Sequence, residues 1–214
     1  LLVVLALAGC GNLGYYWKSV GGQLGIWQRE APIERLLADP ALDPKLKAQL
    51  ERALRIREYA SRELGLPDNR SYRAYADLAR PFVVWNVFAA PEFSTEARQW
   101  CFPFAGCVGY RGYFSEAEAR AQAKTLAAEG YDVHVGGVPA YSTIGWFADP
   151  LLNTFIHYPE PELARLLFHE LAHQVVYVKD DTVFNESFAT VVEQAGVARW
   201  MNTHGSEADR LQYA

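Results

Sequence analysis

Apolar residues repeat at helical spacing in the last third of the chain. Between residues 160 and 175 the apolar positions fall every three or four residues, which predicts a helix with one buried face. Its start, Glu160-Pro161-Glu162, places a proline and two acids where a first turn tolerates them. A second helix opens at residues 184–193. Two consecutive helices therefore close this part of the chain.

Helices and strands alternate irregularly upstream of this pair. Helical spacing predicts helices at residues 33–37, from 44 to near 65, and at 115–129, where Gly130 ends the last one. Ser115 to Glu118 has the pattern of a capping box. β-Branched and aromatic runs predict strands at residues 82–89, 100–101, 108–114, 131–135 and 151–156. The mixture indicates an α+β fold, with a small mixed or antiparallel sheet and helices behind it.

The first of the two closing helices carries His-Glu-Leu-Ala-His at residues 169–173. His169 and His173 stand four residues apart, so both imidazoles leave one face of a helix. Two neutral imidazoles make half of a tetrahedral zinc site. Glu170 lies about 100° round the helix from His169, which suits it to contact a water rather than the metal.

A catalytic zinc site needs a third protein ligand and an open fourth position. Glu186, at the opening of the second helix, is the candidate for that ligand. The gap after His173 is long enough for a turn that brings the two helices antiparallel. One Zn²⁺ held by His169, His173 and Glu186 is therefore expected, with Glu170 as the general base of a hydrolase.

Two other interpretations of these residues exist. In a structural one, the histidines are ordinary helix residues satisfied by their neighbours, which makes the glutamate on the second helix a coincidence. In the other, the domain has the shape of a peptidase but acts as a binding or assembly factor at a membrane. The complete set of His-Glu-x-x-His plus Glu argues against both.

The residues at 169–174 and 185–189 together resemble the gluzincin metallopeptidases. The whole chain is similar to a family of predicted zinc aminopeptidases that occur as lipoproteins in Gram-negative bacteria. The matching stretches are residues 7–10, 100–114, 140–150 and the metal core. The resemblance implies a zincin-like fold and hydrolysis of peptides, with aminopeptidase action as the family's description and a zinc endopeptidase as the alternative.

The chain departs from the thermolysin-like pattern in two ways. The gap to Glu186 is shorter, and Thr190 stands where that pattern places an aspartate that supports a ligand histidine. Glu193, two turns beyond Glu186 on the same face, is the candidate for this supporting role. Two acids that are not predicted ligands, Glu193 and Asp149, are the candidates for holding a substrate ammonium.

The resemblance also suggests where substrate would lie. Gluzincins bind substrate backbone along the strand before the metal helix, here residues 151–156, and residues 141–147 would form part of the cleft wall or else a surface loop. A tetrahedral intermediate needs a donor for its oxyanion. The candidates for this donor are Tyr141, His157, Tyr158 and Tyr177, unless it lies in a C-terminal helical part beyond this sequence.

Composition removes one class of function. The chain has 214 residues and a formal net charge of −5, and its basic residues are not clustered, which excludes an extended nucleic-acid surface. Half of the residues are apolar, so a single globular catalytic domain over residues 26–214 is expected. The partner class implied is a peptide substrate.

The first ten residues are apolar and end in Leu-Ala-Gly-Cys, which looks like a bacterial lipobox. Cleavage before Cys10 and its acylation would anchor the protein to a membrane in the periplasm, and Gly11 favours the outer membrane. Residues 11–25, rich in glycine, are expected to form a flexible tether. The alternative is a buried apolar strand with an incidental cysteine.

With Cys10 lipidated, Cys101 and Cys107 remain as an even pair in an oxidising compartment, which favours a disulfide between them. A metal site is a weaker interpretation, because two further ligands are missing. Two free buried cysteines are the remaining alternative.

Overall fold

The computed structural model describes residues 2–102, 106–140, 142–205, 207 and 210, with side chains from residue 14 onward. The chain is a mixture of helices and short strands. The helices are α1 (Leu2–Trp27), α2 (Ile33–Leu37), α3 (Pro44–Arg62), α4 (Glu116–Ala128), α5 (Glu160–Ala172) and α6 (Thr182–His204). The strands are β1 (Ala31–Pro32), β2 (Ala74–Ala76), β3 (Val84–Pro91), β4 (Trp100–Phe102), β5 (Gly106–Val108), β6 (Arg111–Tyr113), β7 (Tyr131–Val138) and β8 (Leu151–Leu152).

The strands of the described residues form three small sheets, with the orders β1-β2-β8, β6-β3-β7 and β4-β5. In the β6-β3-β7 sheet β3 is central and pairs antiparallel with both neighbours. The β4-β5 hairpin is closed by a disulfide between Cys101 and Cys107, with an S–S distance of 1.97 Å. The structure therefore confirms the expected disulfide.

Two hydrophobic clusters are found among the described residues. The larger one joins α3, α5 and α6, where Ile56, Leu167 and Trp200 are almost completely buried. The smaller one lies between β3 and α4, where Trp85, Val87 and Ala89 pack with the α4 residues Ala119 and Leu126. Alternate residues of β3 thus pack against α4. The side chains between them point to the opposite face of the strand, away from α4.

Several predicted elements appear at the expected places. The predicted helix at residues 33–37 matches α2, and α3 begins at Pro44, where the Asp43 side chain accepts a hydrogen bond from Leu46 N at 2.9 Å. The predicted end of α4 is also confirmed, since Gly130 follows it with a φ of 90°.

The region predicted as a tether, residues 11–25, lies within α1 instead. Glycine is a poor helix former, but tertiary contacts compensate for it here. The Tyr15 hydroxyl donates a hydrogen bond of 2.9 Å to Gly112 O, and Ile26 is only 2 % exposed. Among the described residues, no helix combines the length and apolar character needed to cross a bilayer. Lipidation of Cys10 stays a prediction.

Two further local predictions are wrong. Ser115 is the N-cap residue of α4, but its side chain makes no capping hydrogen bond, and Glu118 pairs with Lys18 at 2.6 Å, so the predicted capping box is not formed. The strand predicted at residues 151–156 is limited to β8, because the Asn153 side chain accepts from Leu78 N at 2.8 Å and the chain turns there. The strand also pairs with β2, away from the β6-β3-β7 sheet.

Candidate metal centre

Helix α5 places two imidazoles on one face. Its opposite face is fixed in the core by Leu163, Leu167 and Leu171, which have no exposed surface. The helix ends at Ala172, but His173 keeps helical backbone angles and its N–H bonds to His169 O at 3.3 Å. The two imidazoles therefore keep the i, i+4 relationship that the sequence predicted.

Helix α6 runs antiparallel to α5 and carries the two glutamates. Trp200, near its end, donates from Nε1 to Glu160 Oε1 at 3.1 Å, at the start of α5. Glu186, near its beginning, faces the histidines at the end of α5. The connecting turn is fixed by Asn185, whose side chain bonds both the N–H and the C=O of Val178, at 2.7 and 2.8 Å. This arrangement agrees with the predicted antiparallel pair.

The ligand atoms of the three predicted residues converge. Nε2 of His169 lies 3.1 Å from Nε2 of His173. A Glu186 oxygen lies 3.2 Å from Nε2 of His169, and its other oxygen lies 3.7 Å from Nε2 of His173. Tetrahedral zinc with bonds near 2 Å separates its ligand atoms by about 3.3 Å. In the described part of the chain this is the group of three metal-ligating side chains that could hold an ion, and the spacing fits zinc.

Protonation explains why a cation suits this position. Nδ1 of His169 lies 2.8 Å from Glu193 Oε2, and because a carboxylate only accepts, Nδ1 is the donor in this contact; in a neutral imidazole Nε2 then keeps its lone pair. Burial and the neighbouring His169 lower the pKa of His173, which favours a neutral imidazole. Lone pairs and a carboxylate thus face one another, an arrangement that a metal ion stabilises.

His173 differs from His169 in its second nitrogen. Nδ1 of His173 is buried and has no hydrogen-bond acceptor among the described residues. The neighbouring Gln174 is instead held from the side, since its Oε1 accepts from Asn69 Nδ2 at 2.7 Å and its Nε2 donates to Ser71 Oγ at 3.3 Å. The His173 ring is therefore oriented by packing and by the backbone that follows it.

Glu170 lines the same cleft as the three predicted ligands. Burial raises the pKa of Glu170 to about 8, and the negative charges of Asp149, Glu186 and Glu193 add to the shift. A carboxyl group with high proton affinity beside a candidate metal is suited to take a proton and to return it.

A cleft of about 620 Å³ connects the candidate metal site with the β6-β3-β7 sheet. Its lining includes Tyr177, the one predicted oxyanion donor that the described residues place in the cleft. His157 and Tyr158 are absent from the lining, and Nδ1 of His157 lies 3.3 Å from Asn153 O. Tyr141 lies outside the described residues. Ser142 and Ile144 do line the cleft, as expected for the 141–147 segment, whereas Trp146 is 72 % exposed.

Neither acid considered for the substrate ammonium faces the cleft freely. Glu193 is engaged with His169 and lies 3.7 Å from Arg165. Asp149 is 4 % exposed and accepts from Thr143 N at 2.9 Å, so it shapes the loop beside the cleft. Through these contacts Glu193 holds the His169 ring and Asp149 holds the loop beside the cleft.

Sequence reasoning missed two cleft residues, Asn86 and Tyr110. Burial raises the pKa of Tyr110, and negative charge on Tyr177, Glu186 and Glu170 adds to it, which places this phenol near the candidate metal site. Tyr110 follows β5, and Asn86 lies in β3. Neither Asn86 nor Tyr110 belongs to a recognisable sequence motif. The pairing of the strands in and beside which they lie brings them to the cleft.

The disulfide hairpin forms another part of the cleft. Phe102 and Val108 line it, and the N–H of Cys107 donates to Asp180 Oδ1 at 3.1 Å. Asp180 belongs to the turn between α5 and α6 and has a φ of 64°. The hairpin is thus attached to the turn that separates the two helices carrying the candidate metal ligands.

The fold and site define a mixed α and β chain with a two-histidine, one-glutamate candidate metal centre. A family model described as "Putative aminopeptidase" matches residues 14–214, and the chain belongs to that family. Neither a curated protein nor a solved structure matches the chain.

Proposed function

We propose that the protein is a zinc-dependent peptidase of the gluzincin type, with a zincin-like fold, that acts as an aminopeptidase. The observation that carries this proposal is the convergence of His169, His173 and Glu186 beside Glu170 in one cleft. Membership of the "Putative aminopeptidase" family supports the reaction class. The three ligands would hold one Zn²⁺ and leave a position open to the cleft.

Each side chain of the site has a distinct task in this proposal. Zinc, when bound, would supply Lewis acidity toward a water and a peptide carbonyl. Glu170 would take a proton from the attacking water and return it to the leaving amine. Glu193 would hold the His169 ring by its Nδ1–H, and the hydroxyl groups of Tyr177 and Tyr110 are the described cleft donors for the oxyanion.

Paired substrates test the reaction class. Alanine p-nitroanilide offers a free amino terminus, and N-acetylalanine p-nitroanilide offers none. An aminopeptidase cleaves the first and not the second, whereas an endopeptidase tolerates the blocked terminus. Absence of cleavage of either compound, and of a set of unblocked peptides, by zinc-loaded protein would contradict the proposed function.

We also propose that the protein is a periplasmic lipoprotein anchored through Cys10, at the outer membrane. The disulfide between Cys101 and Cys107 supports an oxidising compartment. Expressed with an N-terminal leader that directs export, the protein should sediment with membranes, and Cys10→Ser should release it. A Cys10→Ser protein that stays with the membranes would contradict the anchor.

A further inference from the structure

The face of β3 that is turned away from α4 carries a polar residue in an apolar setting. Trp85 and Val87 are buried against α4, so Asn86 between them points to the opposite face, where it lines the cleft. Its neighbours along the strand on that face are Val84 and Phe88. Asparagine is disfavoured within strands, so Asn86 is not explained by the stability of β3.

The neighbouring strands leave the Asn86 side chain isolated. In the antiparallel register Asn86 stands opposite Gly112 of β6 and Gly136 of β7, so a glycine flanks it on each side. A Cβ placed on Gly112 would lie 3.1 Å from Asn86 Oδ1, which is tighter than a normal contact. Glycine at 112 therefore keeps space around the amide, and no cross-strand side chain covers it.

The Asn86 carboxamide has no hydrogen-bond partner among the described residues, although it is partly buried. A carboxamide has two N–H donors and an oxygen acceptor, and those of Asn86 are open to the cleft and not engaged with the protein. His169, Glu170 and Glu186 line the same cleft. A ligand bound at the candidate metal site therefore shares one continuous space with this free amide.

We infer that Asn86 is a substrate-binding residue that pairs with a main-chain amide of the peptide. Its carboxamide offers the same donor and acceptor as a peptide group, so the two can form reciprocal hydrogen bonds. Gly112, opposite Asn86, lines the cleft without a side chain, so a peptide backbone can approach the strand closely there. The inference rests on the proposed peptidase function and adds an expectation: substrates with a peptide group besides the one that is cleaved should bind more tightly than alanine p-nitroanilide, which has none.

The test uses tetra-alanine and analogues in which one N–H at a time is replaced by an ester oxygen. Binding is measured by calorimetry to zinc-loaded Glu170→Gln protein, and cleavage is measured with Glu170 intact. With Asn86 present, an ester at one non-scissile position should weaken binding about tenfold. With Asn86→Leu, tetra-alanine itself should bind about tenfold more weakly, and that ester should have no further effect.

Two variants accompany Asn86→Leu. Asn86→Asp keeps the shape of the side chain and loses its N–H donors, so it should also weaken binding of tetra-alanine. This variant carries the test if Asn86→Leu does not fold. Phe88→Leu changes the same face of β3 outside the cleft lining and should leave binding unchanged. In active protein the loss should appear mainly in KM, with kcat and zinc content retained.

The outcomes separate this inference from the proposed function. Cleavage of tetra-alanine with equal KM in the Asn86 variants overturns the Asn86 inference and leaves the peptidase standing. Binding of tetra-alanine that depends on Asn86, without any cleavage, supports the Asn86 inference and contradicts the proposed peptidase function. Neither binding nor cleavage by the unmodified protein overturns both.

Discussion

The Glu193 carboxylate lies 2.8 Å from Nδ1 of His169, on the side of the ring opposite to the candidate metal site. Carboxylates in this position fix the tautomer of a ligand histidine and raise its basicity. Glu193 stands seven residues after Glu186, so two turns of α6 deliver both contacts to His169. One helix thus supplies a proposed ligand and the group that orients another.

Loss of the Glu193 charge should weaken zinc binding without removing a ligand. For Glu193→Gln we expect zinc affinity to fall about 10- to 100-fold, since the amide is a poorer partner for the His169 Nδ1–H. Competition with a zinc chelator measures the change. Glu162→Gln is the matched control, because Glu162 pairs with Arg165 on the surface and does not touch the histidines. Equal affinity in Glu193→Gln and the unmodified protein would remove Glu193 from the site.

Glu170 should be needed for turnover and not for metal binding. Glu170→Gln keeps the size of the side chain but cannot accept a proton, so zinc content should stay the same while kcat falls by at least about 100-fold. Elemental analysis and the alanine p-nitroanilide assay measure the two quantities on the same sample. A Glu170→Gln protein that turns over at the normal rate would refute the role of Glu170 as base.

The pKa of Glu170 predicts how the stability of metal-free protein depends on pH. Its pKa is raised from 4.5 to about 8, so the folded state binds the proton more tightly than the unfolded state. Stability should therefore increase as pH falls from 8 toward 4.5, by up to about 1.4 kcal/mol per pH unit from this group. Urea unfolding in EDTA at pH 5.5, 6.5 and 7.5 measures it.

The Glu170→Gln variant supplies the comparison for this pH series. Asp149 and Glu30 also have pKa values raised by burial and contribute in the same direction, whereas the lowered pKa of His173 contributes in the opposite direction, and all three contributions are present in both proteins. The slope in the variant should therefore be shallower than in the unmodified protein. Equal slopes in the two proteins would show that Glu170 does not titrate in this range.

Reduction of the disulfide should loosen the hairpin that lines the cleft. Closing a loop between Cys101 and Cys107 contributes up to about 2 kcal/mol through the unfolded state. The double variant Cys101→Ser/Cys107→Ser should lose that amount in urea unfolding, and reductant should do the same to the unmodified protein. Reductant should not affect the double variant. An unchanged unfolding midpoint after complete reduction would contradict this contribution.

The candidate metal site could be predicted from the sequence because its geometry is largely local. The relationship of His169 to His173, and of Glu186 to Glu193, follows from the period of one helix. A short connection between two helices then restricts how they can pair. The convergence of the three predicted ligands needed one assumption about tertiary structure, namely that α5 and α6 run antiparallel.

The neighbourhood of Asn86 in the β6-β3-β7 sheet could not be predicted from the sequence in the same way. Asn86, Gly112 and Gly136 become neighbours only through the register of three strands, and register depends on non-local pairing. The helical state of residues 11–25 likewise depends on contacts such as Tyr15 with Gly112. Asn153 ends β8 through side-chain bonds that no periodicity reveals.

Metal content tests the central claim most directly. Purified with zinc and passed through a desalting column, the unmodified protein should retain one zinc per chain by elemental analysis. Glu186→Ala and His173→Ala should each retain much less while keeping the same circular dichroism spectrum. An unmodified protein that retains no zinc, or a Glu186→Ala protein that retains as much, would contradict the site proposed on α5 and α6.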